Sequence, residues 1–546
     1  MTKLPFFQKG DSKGLRFFST NNQLVESFFF IYIAVIFFFL IILFLRLFQL
    51  TIVKGNYYRN LSEQNRIREI NIEAPRGEII DRKGFIIAQN LIPDIDQKVI
   101  ISRRVYQSPE AIAPLIGYRQ IADVNDLKND TCQYKLQLGS RTGKKGVEKL
   151  FDCELRGRSG KKLVEIDAQG RYLKTVDVIP PIPGDKIQLA LDFELQKKAY
   201  ELVKKVKAAI VVTNPKTGEI LVNISSPSFN SQDFEDNLGN HIQNYFTDKD
   251  NPLFNRVMEG TYPPGSIFKL VVATAGLEEK AIDEKTQIED KGNIKAGAAT
   301  FGNWYFLQYG KVEGMVDIVK AIKRSNDIFF YKVGEKTGVE KIKKWSDIFG
   351  LGKRTGIGLD ETEGIIPSIF WKKEVLKENW YLGDTYNLSI GQGYVGTTPL
   401  QMALVTDVFA NGGYLCKPQL LKMNLSNDKF ILSEHSESNG CKKLPISQKT
   451  IDLIREGMKQ ACSIGGTGWP LFDFIAGKTK IQVACKTGTA ESNAKSGMPH
   501  AWITAFAPYD NPEISVTILV EEGGQGSDVA GPIAKEILKA YFERSQ

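Results

Sequence analysis

The hydrophobic pattern divides this chain before any motif is read. From Phe28 to Leu45 the sequence FFFIYIAVIFFFLIILFL is apolar throughout, and RLFQLTIV continues it. Phenylalanine, isoleucine and leucine fall on every face, so the pattern predicts a helix in lipid rather than one with a polar side. The run is long enough to cross the apolar part of a bilayer. It exceeds a signal-peptide core and no small-residue cleavage site follows it, so we read an uncleaved signal anchor over 28–48 behind a short tail, 1–27. Lys3, Lys9, Lys13 and Arg16 precede the span, but Arg46, Lys54, Arg59, Arg66 and Arg68 follow it, and flanking charge does not fix the orientation.

Beyond the anchor the pattern changes to short β-like runs. APRGEIIDRKGFIIAQN, Ala74 to Asn90, reads as two of them around the Arg82–Gly84 turn, a hairpin signature. Residues 91–190 mix short strands with polar loops, so 49–190 is expected to form a β-rich region of its own. Pro180, Pro181, Pro183 and Gly184 mark a boundary, after which a strand and a helix beginning near Phe193 are predicted. The remainder, 191–546, reads as one α/β (α+β) domain. AAIVVTNPKTGEILVNIS is a hairpin pattern, VDIVKAI and VEKIKKWSDIF have helical spacing, and IQVACKTGTA, AWITAFAPY and EISVTILVEEG are three late β runs before the helix AGPIAKEILKAYFER. Strands at both ends with helices between predict one antiparallel sheet with helices on its faces.

Composition narrows the function classes. Apolar residues make up 42% and charged residues 25% of the 546, as in a folded protein with a large core. The net charge of +8 is spread out, with no basic block interleaved with aromatics, which argues against nucleic acid as a partner. His241, His435 and His500 stand at no ligand spacing, and the six cysteines (132, 153, 416, 441, 462, 485) form no Cys-x-x-Cys pair. No metal or organic cofactor is implied. The cysteine spacing does not read as a disulfide framework, and mostly buried, unpaired thiols are expected.

Three short motifs carry the candidate chemistry. In TYPPGSIFKL, Thr261 to Leu270, two prolines and a glycine precede Ser266, and a helix is expected to start there. Ser266 and Lys269, three apart, would share a helix face. A lysine among apolar side chains has its charged form disfavoured and suits the role of base. Ser-x-x-Lys also occurs at Ser159–Lys162, Ser426–Lys429 and Ser492–Lys495, but none of these opens an apolar helix, and Ser159–Lys162 reads as a solvated turn between glycines. The second motif is KRSNDIFFYKVG, with Ser325, Asn326 and Asp327 where one helical run ends and the next begins. The third is CKTGTAE, containing Lys486, Thr487, Gly488 and Thr489. Lys-Thr-Gly recurs at 216–218, as a hairpin turn, and at 336–338, as a helix end; only the 486 copy follows a strand. Its glycine would let a ligand approach the backbone closely.

Taken in order, Ser-x-x-Lys, Ser-x-Asp and Lys-Thr-Gly resemble the signature of penicillin-binding proteins and serine β-lactamases. RGEIIDRKG resembles the pedestal start of the class B penicillin-binding proteins, and the likeness runs over nearly the whole chain. EGTYPPGSIFK, the acidic Ser325-x-Asp327 and SIGQGYVGTTPLQMA (Ser389–Ala403) resemble the elongation subgroup of that family, penicillin-binding protein 2. The resemblance implies a serine D-Ala-D-Ala transpeptidase/carboxypeptidase fold and activity: cross-linking of peptidoglycan stem peptides during cell elongation and rod-shape maintenance, with inhibition by β-lactams. It implies that Ser266 is the nucleophile, Lys269 its base, Ser325 a proton relay and Lys486 a positive group beside the substrate carboxylate. Thr487 and Thr489 would contact that carboxylate, Gly488 lies between them, and the backbone N–H groups of Ser266 and Thr489 would form the oxyanion hole. Asp327 would hold Lys269 or the substrate amide, whereas Asn326 would point elsewhere and be dispensable for acylation. The resemblance further implies an inner-membrane protein with its catalytic domain in the periplasm and a SEDS-type glycan polymerase as partner. The alternatives are a division-specific class B transpeptidase and a β-lactamase or β-lactam sensor. The pedestal and the uncleaved anchor weigh against a secreted hydrolase.

Overall fold

The computed structural model describes residues 22–91, 102–167, 169–422, 440–492 and 497–544. The chain forms two compact units, 1–71 with 161–179, and 72–160 with 180–546.

The first unit holds the apolar run. A helix spans Asn22–Phe48 and winds on as a wider turn through Gln49–Val53, with no burial over the apolar stretch 28–53. A second helix, Gly55–Arg66, leads into a three-stranded sheet ordered Ile67–Ile72, Gly160–Ile166, Tyr172–Ile179. Here the expectation for Ser159–Lys162 fails. KKLVEI alternates and pairs antiparallel with the β-branched run at 172–179, so Lys162 lies within a strand and is buried, rather than in a solvated turn.

In the second unit, Ile79–Ile80 and Ile86–Leu91 form the expected hairpin across Gly84, whose φ of +88° suits a residue without a Cβ. Arg103–Tyr106 extends that sheet on one side, and Ile187–Gln188 runs parallel to Ile79–Ile80 on the other. Arg76 is buried and donates to Glu148 at 2.5 Å, while Arg104 reaches the same carboxylate at 2.9 Å. This is the physical use of the arginine in the RGEIID run: a buried charge needs a partner, and this one ties 76 to 148.

The large sheet has five antiparallel strands in the order Ile220–Ser226, Ala208–Thr213, Ile514–Val520, His500–Ala507, Ala484–Ala490. The early hairpin therefore joins the late strands as predicted, and Ala484–Ala490 is left at an edge. Helices Phe193–Val203 and Ala530–Arg544 belong to the apolar cluster on one face, and Lys269–Glu278 and Pro399–Ala410 to that on the other. Lys269 through Gly276 are all buried, which explains why that helix has no polar side.

The cysteines depart from expectation. All six pair, as Cys132–Cys153, Cys416–Cys441 and Cys462–Cys485, separated by 21, 25 and 23 residues. Chain topology, not sequence spacing, brings each pair together. Cys416 and Cys441, for example, face each other across two short strands.

Candidate active site

The site is assembled from a turn, a helix junction and a sheet edge. Ser266 sits in a single 3-10 turn, Gly265–Ile267, and the α-helix proper begins at Lys269. This corrects the expected helix start by three residues. Gly265 has φ +54°, and a Cβ there would stand 2.9 Å from the Thr489 carbonyl oxygen. The close packing of that turn on the edge strand requires both the glycine and the tighter winding. In a 3-10 turn, residues i and i+3 eclipse, so Ser266 and Lys269 keep a common face. Gly488 serves the same approach from the other side, since a Cβ there would meet the Pro264 carbonyl oxygen at 3.2 Å. The glycine of Lys-Thr-Gly thus accommodates the turn that carries Ser266.

Ser325 ends the helix Ile318–Arg324 in the left-handed region, φ +53°, and Asn326 caps the next helix, Asp327–Thr337, by accepting from Phe329 N–H. A left-handed serine is strained, and here it turns its hydroxyl between two lysines. Lys486 Nζ donates to Ser325 Oγ at 2.7 Å, and Lys269 Nζ lies 3.4 Å from the same oxygen. Lys269 Nζ also donates to the Ser325 carbonyl at 2.8 Å and to Asp327 Oδ1 at 2.6 Å. Asp327 Oδ2 accepts from Trp304 N–H at 3.0 Å, so both carboxylate oxygens are engaged. In the structure Ser325 and Asp327 face the lysines and the Asn326 side chain faces away from them. Asn326 is nevertheless fully buried and bonded at both ends, its Nδ2 donating to Asp290 at 2.7 Å.

Burial dominates the electrostatics. It pushes the Lys269 amine below the ordinary lysine value of 10.5, against the pull of Asp327. Lys486 falls further, first through burial and then through repulsion from Lys269, with Asp327 acting in the opposite sense. Only Lys269 bonds the carboxylate directly.

On the edge strand, Thr487 Oγ1 donates to Thr467 Oγ1 at 2.7 Å, and Thr489 Oγ1 donates to Gln525 Oε1 at 3.0 Å. Gln392 bridges to the same strand, its Nε2 donating to the Thr489 carbonyl at 3.4 Å and its Oε1 accepting from Glu491 N–H at 3.3 Å. Ser266, Lys269, Ser325, Asp327, Lys486, Thr487, Gly488 and Thr489 thus belong to three elements packed together. Asp290, Asn303, Gln392 and Gln525 were not anticipated as site residues; only Gln392 lay in a stretch already singled out. Of the other Ser-x-x-Lys matches, 426–429 and Lys495 lie outside the described residues, and Ser492 Oγ donates to the Met498 carbonyl. The other two Lys-Thr-Gly copies are a hairpin turn and a helix end, as expected. Among the described residues no group of three His, Cys, Asp or Glu side chains is arranged to hold a metal.

Two family models match: the penicillin binding protein transpeptidase domain over residues 208–539 and the penicillin-binding protein dimerisation domain over 92–189. The chain is 28% identical to the peptidoglycan D,D-transpeptidase MrdA of Haemophilus influenzae, over 92% of this chain and 89% of the relative. It is 32% identical to the protein of that name from Salmonella typhimurium, over 81% of this chain and 73% of the relative. Among solved structures, Pseudomonas aeruginosa PBP2 superposes with a TM-score of 0.72 at 31% identity, covering 87% of this chain and 96% of that one. PBP2 of Helicobacter pylori, in a complex with MreC, gives 0.72 at 29% identity over 88% and 99%.

Proposed function

The chain belongs to the class B penicillin-binding proteins, in the penicillin-binding protein 2 group, and from that premise we propose that Ser266 is the nucleophile with which it cross-links peptidoglycan. It is a serine D,D-transpeptidase of the elongation type, and β-lactams inhibit it as acylating substrate mimics. The observation that carries the assignment of the site is the Ser325 hydroxyl held between Lys269 and Lys486.

The geometry supports an order of events. In this order Lys269, which bonds Asp327, starts with the proton and Lys486 starts as the neutral amine. A stem peptide that brings its terminal carboxylate to Lys486, Thr487 and Thr489 favours a charged Lys486. The proton then passes from Lys269 through Ser325 Oγ to Lys486, and Lys269 is left with a lone pair. Ser266 Oγ attacks the penultimate D-Ala carbonyl as its proton moves to Lys269. The developing oxyanion is met by the backbone N–H groups of Ser266 and Thr489, each such donor being worth about 3 kcal/mol. Their proximity is supported by the contact of Gly265 with Thr489. The C–N bond breaks, and the departing D-Ala amine takes a proton through Ser325. A neighbouring stem's amine attacks the ester, loses its proton to Lys269, and restores Ser266 with the new amide bond made.

The apolar helix anchors the protein in a membrane. We place it in the inner membrane with everything after about residue 48 in the periplasm, where the substrate is, and assign 49–190 as the pedestal and 191–546 as the transpeptidase domain. Three disulfides favour an oxidising compartment. A SEDS-type glycan polymerase and an MreC-like protein are the proposed partners, following the relative solved with MreC and another, at 27% identity, described as coordinating polymerization and crosslinking in a peptidoglycan synthase complex. The test is reconstitution. The full-length protein, given nascent uncross-linked glycan and its polymerase, should yield penicillin-sensitive cross-linked muropeptides. Hydrolysis of penicillin with rapid turnover and no cross-links would favour the β-lactamase alternative.

A further inference from the structure

Asp290 lies outside all three motifs, yet the acid side of the site is tied to it. It ends the strand Ile288–Asp290 and is buried, with 1% exposure. Its Oδ1 accepts from Gly292 N–H at 2.7 Å. Its Oδ2 accepts from Asn303 Nδ2 at 2.7 Å, Asn326 Nδ2 at 2.7 Å and Glu313 N–H at 3.3 Å. One carboxylate therefore holds both ends of the excursion 291–313 and the residue beside Asp327.

Both asparagines pass the constraint on. Asn303 Oδ1 accepts from the backbone N–H of Asp327 at 3.1 Å. The next residue, Trp304, donates its backbone N–H to Asp327 Oδ2. Asn326 Oδ1 caps the helix that Asp327 opens. Asn303 and Asn326 are fully buried, so any bond that Asp290 releases leaves an amide group without water to replace it, and such a group relaxes by moving. We propose that Asp290 is a positioning residue for acyl transfer, which acts through Asn303 and Asn326 to fix the Asp327 carboxylate against Lys269. The inference rests on the role given above to Lys269 and Asp327. The hydrogen bonds of Asp290 go to Gly292, Asn303, Glu313 and Asn326, so its effect on the lysines has to be transmitted.

A structural prop and a positioning residue both lower stability when removed, so the test reads coupling. Acylation of the full-length protein by a chromogenic cephalosporin is followed by stopped flow, with rates expressed per titratable site. The variants are Asp290→Ala, Asp290→Asn, Asp327→Ala and the two double variants. Asp290→Ala should slow acylation at least ten-fold, and Asp290→Asn, which keeps one carbonyl acceptor and the shape, about three-fold or more. In the Asp327→Ala background either change should add less than two-fold. The acid limb of the pH profile should also move to lower pH. Lys269 is faced by Asp327, by Lys486, by the Ser325 hydroxyl and by the Phe330 ring, and of these only Asp327 favours its proton by charge. If Asp290→Ala does not fold, Asp290→Asn carries the same comparison. Rates per site within two-fold of wild type, with only a lower melting temperature, would overturn the inference. So would an effect of full size persisting without Asp327. If Asp327→Ala itself acylates normally, the reading of Asp327 fails and this inference fails with it. Normal Asp290 variants beside a slow Asp327→Ala would sink the inference alone.

Discussion

Lys269 and Asp327, 58 residues apart in the chain, meet at 2.6 Å in the interior of the transpeptidase domain, with the lysine side chain fully buried and the aspartate side chain 12% exposed. A charge-assisted bond in such surroundings is about twice as strong as a neutral one. Asp327→Ala should therefore slow acylation roughly ten-fold or more, one bond of this kind being worth about 1.5–3 kcal/mol. Asp327→Asn, which keeps the shape and one acceptor, should fall between. Stopped-flow acylation of the purified variants measures this.

Asn326→Ala is expected to act chiefly on stability, and on acylation only through the position of Asp327. The side chain caps one helix and bonds Asp290, and its removal should cost about 1–3 kcal/mol of stability. Its direct effect on the two lysines should be smaller than that of Asp327→Ala. Thermal unfolding and acylation measured side by side separate the two residues.

The pH profile of acylation follows from the two lysines. At low pH both are ammonium and neither can accept a proton, so the rate rises as the pair loses its first proton, below 10.5 because burial depresses both amines. Asp327's charge raises both. Asp327→Asn should therefore move the acid limb to lower pH even as the plateau drops. A limb that shifts upward would contradict the assigned electrostatics.

Asp407, buried in the helix Pro399–Ala410, has its carboxyl pushed up to about 7 by burial, against a hydrogen bond that it accepts from Thr213 Oγ1 at 2.8 Å. Its folded-state value exceeds the ordinary 3.8, so the folded protein holds a proton that the unfolded chain releases. The stability this confers is complete below about pH 4 and is lost as pH rises through about 7. Asp407→Asn should raise the unfolding free energy at pH 8 by an amount on the order of 4 kcal/mol, and the gain should vanish towards pH 4.

The Cys462–Cys485 bond fastens the end of the helix Gln448–Ala461 to the residue before Lys486. Replacing both cysteines by alanine should cost about 3 kcal/mol of stability for a loop of this length. The strand pairing from Ala484 to Ala490 stays intact, so acylation per folded site should fall less than ten-fold. Chemical denaturation and active-site titration on the double variant test both parts.

What could be read from the sequence was what local physics writes locally. The apolar run over 28–48, the hairpin at Gly84 and the helix beginning at Phe193 each have a periodic pattern or a turn signal, and the structure contains all three. The motif residues were legible because the order and spacing of three motifs resemble a known signature; the fold brings Lys269 and Lys486 to Ser325 and packs the turn of Ser266 against the strand of Thr489. Contacts between distant residues were not legible. The cysteine pairs are made by topology, and no spacing rule marks them. Asp290 meets Asn326 36 residues away through one hydrogen bond, and an aspartate at a strand end looks like any turn residue. The 3-10 turn at Ser266 depends on how closely Gly265 approaches Thr489, which no helix-start rule contains.

The central claim is that Ser266 forms the acyl-enzyme. Intact-mass spectrometry of the full-length protein after brief exposure to benzylpenicillin, followed by peptide mapping, tests it directly. The wild type should gain one penicilloyl group, located on the peptide containing Ser266. Ser266→Ala should gain none, and Ser159→Ala, Ser426→Ala and Ser492→Ala should each gain one. An adduct that persists in Ser266→Ala, or that maps to another serine, would contradict the account.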